Sequence, residues 1–432
     1  MNILMAFHAP PYPPDIGPSR RNYHVLAETL KRHRVTVLSL GTSRDRQALL
    51  ERFGDACSDS VFIPNSRTAA INAARTGWYL ATARSDFHRL YRRSFQRALD
   101  RLAAAGRFDL MYCSTTMLGC YRLPAHFPVV GDTHNVEHDA LARASRESWE
   151  FWRRAFYRRQ ASLTRREEIA YTSRFTVVCA TSERDRALLG ALVPDVPIAV
   201  VPNGIDCEKY RPDGNSPEPG TMLFTGLMRY YANAHGVRRF VERVLPRIVK
   251  AVPHARLWIV GADPPACVRA LASPHVVITG RVADVRPFYA RAQIAVVPLW
   301  IGGGTRVKVL EAMAMGVPVV STPIGCEGLD ARDGRTLLFG ETDEALAAAA
   351  IRALTQPAIR SGLIAEGTAF ADDYDWRRIG LRLEAVFRRA RGRARCSSTA
   401  GISPEAHPVT STSWTGGAAT AARNMSAPPS AF

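Results

Sequence analysis

With 432 residues, 47% of them hydrophobic and 22% charged, the chain can build two globular cores and lacks the composition of a disordered polymer. Its formal charge of +18 is almost all arginine, since Lys31, Lys209, Lys250 and Lys308 are the only lysines; it favours acidic partners such as nucleoside diphosphates, anionic lipid headgroups or nucleic acid. The start MNILMAFHAP has no secretory pattern, no apolar run nears the roughly 18 residues of a membrane span, and the eight cysteines form neither a CxxC pair nor a metal-ligand spacing. The expectations are a soluble cytoplasmic chain, buried free thiols, and neither a disulfide framework nor a bound metal.

In chain order, MNILMAF predicts a buried strand, the loop HAPPYPPDIGPSRR follows, and the amphipathic NYHVLAETLKRH with VTVLSL completes a βαβ unit. The apolar runs DLMYCS, PVVGDT, RFTVVCAT and PIAVVPNG, spaced by helix-length stretches, predict a mainly parallel sheet covered on both faces. Arginines outnumber acids around 84–107 and 143–174 and are interleaved with aromatics, as in ESWEFWRRAFYRRQ, where Trp149, Trp152 and Phe156 share one helical face. Two readings stay open for that face: docking on an anionic membrane surface, or packing into the domain core with the arginines solvated. No nucleic-acid motif accompanies the charge, so nucleic acid is not an expected partner.

After the turn-rich VPNGIDCEKYRPDGNSPEPG the alternation restarts with TMLFTG, a helical AHGVRRFVERVLPRIVKAV, ARLWIVG, VVITGR, IAVVPL and VPVVST. Residues 1–205 and 206–371 therefore read as two doubly wound domains whose cleft faces the carboxyl ends of both sheets. Trp376, Ile379, Leu383 and Phe387 give 372–392 helical spacing, expected to pack back across the domains, and 393–432 reads as a disordered tail.

The stretch WIGGGTRVKVLEAMAMGVPVVST, residues 300–322, sets three glycines before a predicted helix. Thr305 is placed to cap that helix, and the glycines let a ligand approach free amides. A diphosphate suits such a loop, with Arg306 and Lys308 as counter-charges. Glu311, further along the helix, could accept two hydrogen bonds from a ribose diol. The bland reading is a glycine turn followed by a solvated glutamate.

The same stretch resembles the signature of the family 4 retaining glycosyltransferases, in the branch that writes Gly-Gly-Gly-Thr-Arg-x-Lys and continues Glu-Ala-Met-Ala. PPYPPDIGPSRR, DTHNVE at 132–137, TSERD at 181–185, VPNGID at 201–206, TGRVADV at 279–285 and STPIGCEGL at 321–329 follow the family order, covering residues 1 to about 390. The resemblance implies an α/β GT-B fold of two Rossmann-like domains, the C-terminal one holding a nucleotide sugar and the N-terminal one the acceptor. It also implies metal-independent transfer with retention of configuration. Residue by residue, Glu311 matches the ribose-binding glutamate; Gly304, Thr305, Arg306 and Lys308 match the loop and helix start beside the diphosphate; Arg281 and Val282 border the base; and Gly17 lies against the phosphate from the opposite domain. His134 matches the histidine that reaches the transferred sugar, or is simply hydrogen-bonded at a strand end; His138 is a second candidate.

Two departures stand out. Many members carry another glutamate eight residues before this one, near the donor sugar, where this chain has Gly303. Many also carry an Arg and a Lys after the first C-domain strand, where TGLMRYYANAHG offers Leu227 and, approximately, Asn233. The reading is that Arg306 and Lys308, with Arg229 near them in sequence, take over the diphosphate clamp. The sugar would then be oriented by loop amides or by residues elsewhere, such as those near IGCEGL. The expected function is transfer of a hexose from a nucleoside diphosphate sugar to a saccharide or lipid-linked acceptor in cell-surface or extracellular polysaccharide synthesis, at the inner face of the cytoplasmic membrane or free in the cytoplasm. The alternatives are a non-catalytic nucleotide-sugar or glycan-binding partner, or a GT-B sugar epimerase or phosphorylase.

Overall fold

The structure, a computed structural model, describes residues 1–14, 17–65, 84–106, 108–147, 151–214, 216–302 and 306–399. Trp149, Gly303, Gly304, Thr305 and the tail from 400 onward lie outside the described residues. The N-terminal sheet has seven strands: β1 (Asn2–Phe7), β2 (Arg34–Leu40), β3 (Ser60–Ile63), β4 (Leu110–Cys113), β5 (Val129–Asp132), β6 (Val177–Ala180) and β7 (Ile198–Val200). They pair in parallel in the order β3-β2-β1-β4-β5-β6-β7. The second sheet holds β8 (Thr221–Thr225), β9 (Arg256–Val260), β10 (Val276–Gly280), β11 (Ile294–Val297), β12 (Val319–Ser321) and β13 (Leu338–Phe339), parallel in the order β10-β9-β8-β11-β12-β13. Strands buried on both faces read as unbroken apolar runs, which is why NILMAF and TMLFT stood out in the sequence.

Each sheet reverses its strand order once, between β1 and β4 and between β8 and β11. In open α/β sheets the crevice beyond such a reversal is where ligands bind. Here the chain leaves β1 at His8, β4 at Ser114, β8 at Gly226, and β11 toward Gly302.

The C-terminal domain has one apolar core around Phe224, Ile259, Val296 and Leu310. The N-terminal sheet is covered on one face around Phe95, Leu118 and Phe175, and on the other by Val25 and Leu26 together with Trp376, Ile379, Leu383 and Phe387. Those last four belong to a helix that starts at Trp376, not 372, and runs to Thr399. A preceding helix, Pro357–Asp373, ends separately, because the Ile205 amide donates to Tyr374 O (2.9 Å) and the Trp376 amide to Ile205 O (3.1 Å), drawing those groups out of a helical ladder. The stretch AHGVRRFVERVLPRIVKAV, expected as one helix, is interrupted by a π-helical turn at Phe240–Val244 just before Pro246, which has no amide to donate.

The helix Phe151–Thr172 buries Leu163, Thr164, Glu168 and Tyr171 in its C-terminal part, while Phe151 and Trp152 are 82% and 54% exposed. Packing of its first turn into the core is therefore not what the fold does. Cys57, Cys113, Cys179 and Cys326 are buried thiols, whereas Cys267 is exposed. No helix among the described residues is long and apolar enough to cross a membrane.

Candidate functional site

The C-terminal half of the site is assembled around the short helix Val307–Ala314. Its N-cap position is Arg306, one residue later than the cap expected at Thr305, and no side chain caps it. Lys308 Nζ donates to Asn233 Oδ1 (3.0 Å) and lies 4.0 Å over the Phe224 ring, while Asn233 Nδ2 donates to the Leu227 carbonyl (2.9 Å). Only glycine fits beside them at 226: its φ is +156°, and a Cβ there would meet both Lys308 Nζ and Asn233 Nδ2 at 2.8 Å. Burial and the neighbouring Arg306 pull the Lys308 ammonium down to about 7. Arg306 is itself buried; its Nε donates to the Ile324 carbonyl (3.4 Å), and Gly302, with φ +105°, sits so that a Cβ there would lie 3.1 Å from its Nη2 and 3.2 Å from the Tyr230 hydroxyl. Two desolvated cations thus sit together at the carboxyl ends of β8 and β11, an arrangement an anion would relieve.

Glu311 is buried one turn further on. Its Oε2 accepts from the Tyr289 hydroxyl (3.2 Å), and its Oε1 from the Tyr210 hydroxyl (3.3 Å) and from Arg20 Nη1 (3.1 Å). Burial and the carboxylate push both tyrosines above their ordinary range, so they act as donors. Arg20 reaches across from the helix Gly17–Leu30, which Gly17 opens.

On the N-terminal side, the His8 amide donates to Ser114 Oγ (3.1 Å), and His8 Nδ1 and that oxygen lie 2.9 Å apart. His134 packs edge-on to His8, with ring centroids 5.5 Å apart, and its Nε2 lies 2.9 Å from the Ser114 carbonyl. A carbonyl only accepts, so Nε2 carries the proton. Burial holds His134 at about 4, and Nδ1 therefore keeps its lone pair at neutral pH. Behind it, fully buried Arg21 donates twice to Asp132 (2.7 and 2.8 Å), and to the Val201 (2.8 Å) and Pro202 (3.0 Å) carbonyls. Tyr112 donates to the same Asp132 at 2.5 Å. That network fixes the end of β5, and with it His134. His138 is instead bound to Glu168 (2.6 Å).

Two further arginines meet the second domain across the cleft. Arg143, on the helix Glu137–Glu147, donates to Glu327 Oε2 and Oε1 (2.8 and 2.9 Å) and to the Gly302 carbonyl (3.3 Å); Arg184 approaches Glu327 Oε1 at 3.5 Å. Other sequence-derived candidates stand apart. Arg229 is 68% exposed and pairs with Asp263 (3.8 Å) rather than joining Arg306 and Lys308, because the chain turns outward after Met228. Arg281 is exposed at the end of β10, and Val282 packs partly against the C-terminal core. Arg20, Tyr210, Tyr289, His8 and Ser114 carried no local signal that marked them; their roles come from chain segments far apart in sequence.

Two parallel α/β domains whose strand ends face one cleft define the GT-B class of protein. Residues 17–209 match the family model described as Glycosyltransferase Family 4, and residues 219–356 match that described as Glycosyl transferases group 1, so the chain carries these two glycosyltransferase-family domains in succession. Phosphatidyl-myo-inositol mannosyltransferase of Mycobacterium tuberculosis is 28% identical over 207 residues, 44% of this chain and 54% of that protein; the match spans about half the length of this curated relative. Sucrose-phosphate synthase of Thermosynechococcus elongatus shares the fold at a TM-score of 0.62 and 18% identity, over 90% of this chain and 98% of that one. HepE of Anabaena in complex with UDP and glucose superposes at a TM-score of 0.61 with 15% identity, over 90% of this chain and all of that one.

Proposed function

We propose that the protein is a retaining hexosyltransferase that moves a sugar from a nucleoside diphosphate to a hydroxyl of a saccharide or lipid-linked acceptor, in cell-surface or extracellular polysaccharide synthesis. The observation that carries this reading is that one short helix segment brings together Lys308 beside Gly226, Arg306 beside Gly302, and Glu311 in reach of Arg20 from the other domain. Glu311 fixes the ribose. Lys308 and Arg306 neutralise the diphosphate as it leaves, the main electrostatic demand of the transfer, in place of basic residues after the first C-domain strand. His134 offers its lone pair toward the positive charge that develops at the sugar. No metal is assigned, and turnover is expected to persist in EDTA.

The UDP bound by HepE and the lipid acceptor named for the mycobacterial relative favour a nucleotide-sugar donor and a lipid-linked acceptor. Exposed Phe151 and Trp152, flanked by exposed Arg154 and Arg158, suit peripheral contact with an anionic inner membrane face, which vesicle co-sedimentation at low and high salt tests directly. A thermal-shift screen of UDP, GDP and ADP with their sugars tests the donor assignment, followed by transfer assays on Arg306→Ala and Lys308→Ala. A flat screen, or variants as active as the parent, sinks the proposal. The glycine at 303 favours the rival reading of a non-catalytic nucleotide-sugar binder; transfer above background removes that rival.

A further inference from the structure

The carboxylate of Glu327 is held between the two domains, beside the backbone that follows β11. Three observations converge on it. First, Arg143 Nη1 bonds both Glu327 Oε2 (2.8 Å) and the Gly302 carbonyl (3.3 Å), so the carboxylate lies beside the backbone at the end of β11. Second, the segment leading to it is tied to the cation cluster, since Arg306 Nε donates to the Ile324 carbonyl, three residues before Glu327. Third, the arginines that hold it, Arg143 and Arg184, come from the opposite domain.

We propose that Glu327 is the hydroxyl-binding carboxylate of the donor site, accepting hydrogen bonds from the transferred sugar, and that Arg143 is its positioning residue. This rests on the nucleotide-sugar reading above. An ionised carboxylate has about four lone-pair directions, and the two Arg143 bonds leave sites for sugar hydroxyls. The two Arg143 bonds hold the carboxylate in place before the donor arrives, so little is spent on ordering it during reaction. Because the clasp joins both domains, a sugar bound to Glu327 is held at the meeting of the two.

The experiment compares wild type with Glu327→Gln, using whichever of UDP, GDP or ADP shifts wild-type melting most, and the hexose derivative of that nucleotide. The expected result is unchanged affinity for the free nucleoside diphosphate, loss of the preference for its sugar derivative, and a fall of about 10- to 100-fold in kcat/KM, the size of one lost charge-assisted hydrogen bond. A deoxy-sugar donor lacking the contacted hydroxyl should lose activity with wild type and lose no more with Glu327→Gln. Arg143→Met should move the same sugar preference by less, and melting temperatures of both variants control for folding. Equal loss of affinity for nucleotide and nucleotide sugar would reveal only a domain clasp and overturn the proposal, as would a variant within twofold of wild type. If wild type binds no nucleotide, the transferase reading itself fails, and this assignment with it.

Discussion

Lys308 holds its ammonium against the Phe224 ring with Arg306 as a like-charged neighbour, and that placement sets a pH dependence. Its ordinary value is 10.5 and the fold lowers it to about 7. Between those values the unfolded chain binds a proton that the folded chain lacks, so stability rises with pH through this window and the cost of the buried charge is present below it. Binding a diphosphate has the opposite preference, since the anion needs the ammonium. Affinity for a nucleoside diphosphate sugar is therefore expected to fall above pH 7 by up to about tenfold per unit, with proton uptake. Calorimetry in two buffers of different ionisation enthalpy measures that uptake; Lys308→Met should abolish it, and an unchanged uptake in that variant would assign the proton elsewhere. A second residue-scale outcome concerns Arg20, which is half exposed and occupies Glu311 from the other domain. An ion pair of that exposure is worth about 0.2–1 kcal/mol, so Arg20→Ala should tighten nucleotide binding by at most about fivefold. Weaker binding, read by titration, would mean that Arg20 contacts the ligand instead of competing with it.

At the scale of elements, the buried Arg21–Asp132 pair binds the first helix, the end of β5 and the strand-to-linker segment at Val201 and Pro202 into one unit. Removing one partner leaves a charge stranded in the core. Arg21→Met is expected to cost about 3–5 kcal/mol, read as a shift in urea midpoint, and adding Asp132→Asn should recover part of that loss; additive losses would show that the two residues act separately. Which elements exist was largely legible from apolar runs, because buried parallel strands need them. The edge strands β3 and β13 were missed: SVFI and LF are short, and a strand paired on one side needs no long apolar signature. The glycine loop, Lys308 and Glu311 were legible because one local segment carries them. The partners of Glu311 were not, since Arg20 lies 291 residues away and Tyr210 lies 101, a proximity only the tertiary fold creates. Glu327 lies in IGCEGL, a segment the sequence already singles out, but nothing local in the sequence pairs it with Arg143 or Arg184, which lie 184 and 143 residues away.

For the whole molecule, the last described helix belongs in space to the first domain. Phe387 packs against Tyr112 with ring centroids 6.1 Å apart, Trp376 stacks on His24 at 4.7 Å, and Arg391 pairs with Asp109 at 2.9 Å. Burying each large apolar side chain contributes about 1.5–3 kcal/mol, so the N-terminal sheet draws much of its stability from residues beyond 375. A fragment ending at residue 205 should bind a hydrophobic dye and sediment as aggregates, and a synthetic peptide of 374–393 added during refolding should restore solubility. A monomeric, cooperatively melting fragment would contradict this. During synthesis, then, the first half of this polypeptide leaves the ribosome with one face of its sheet only partly covered, and it can finish folding only after the second half has been made. The chain's beginning waits for its end, so slow translation through the C-terminal half is expected to lengthen the interval in which chaperones must hold it.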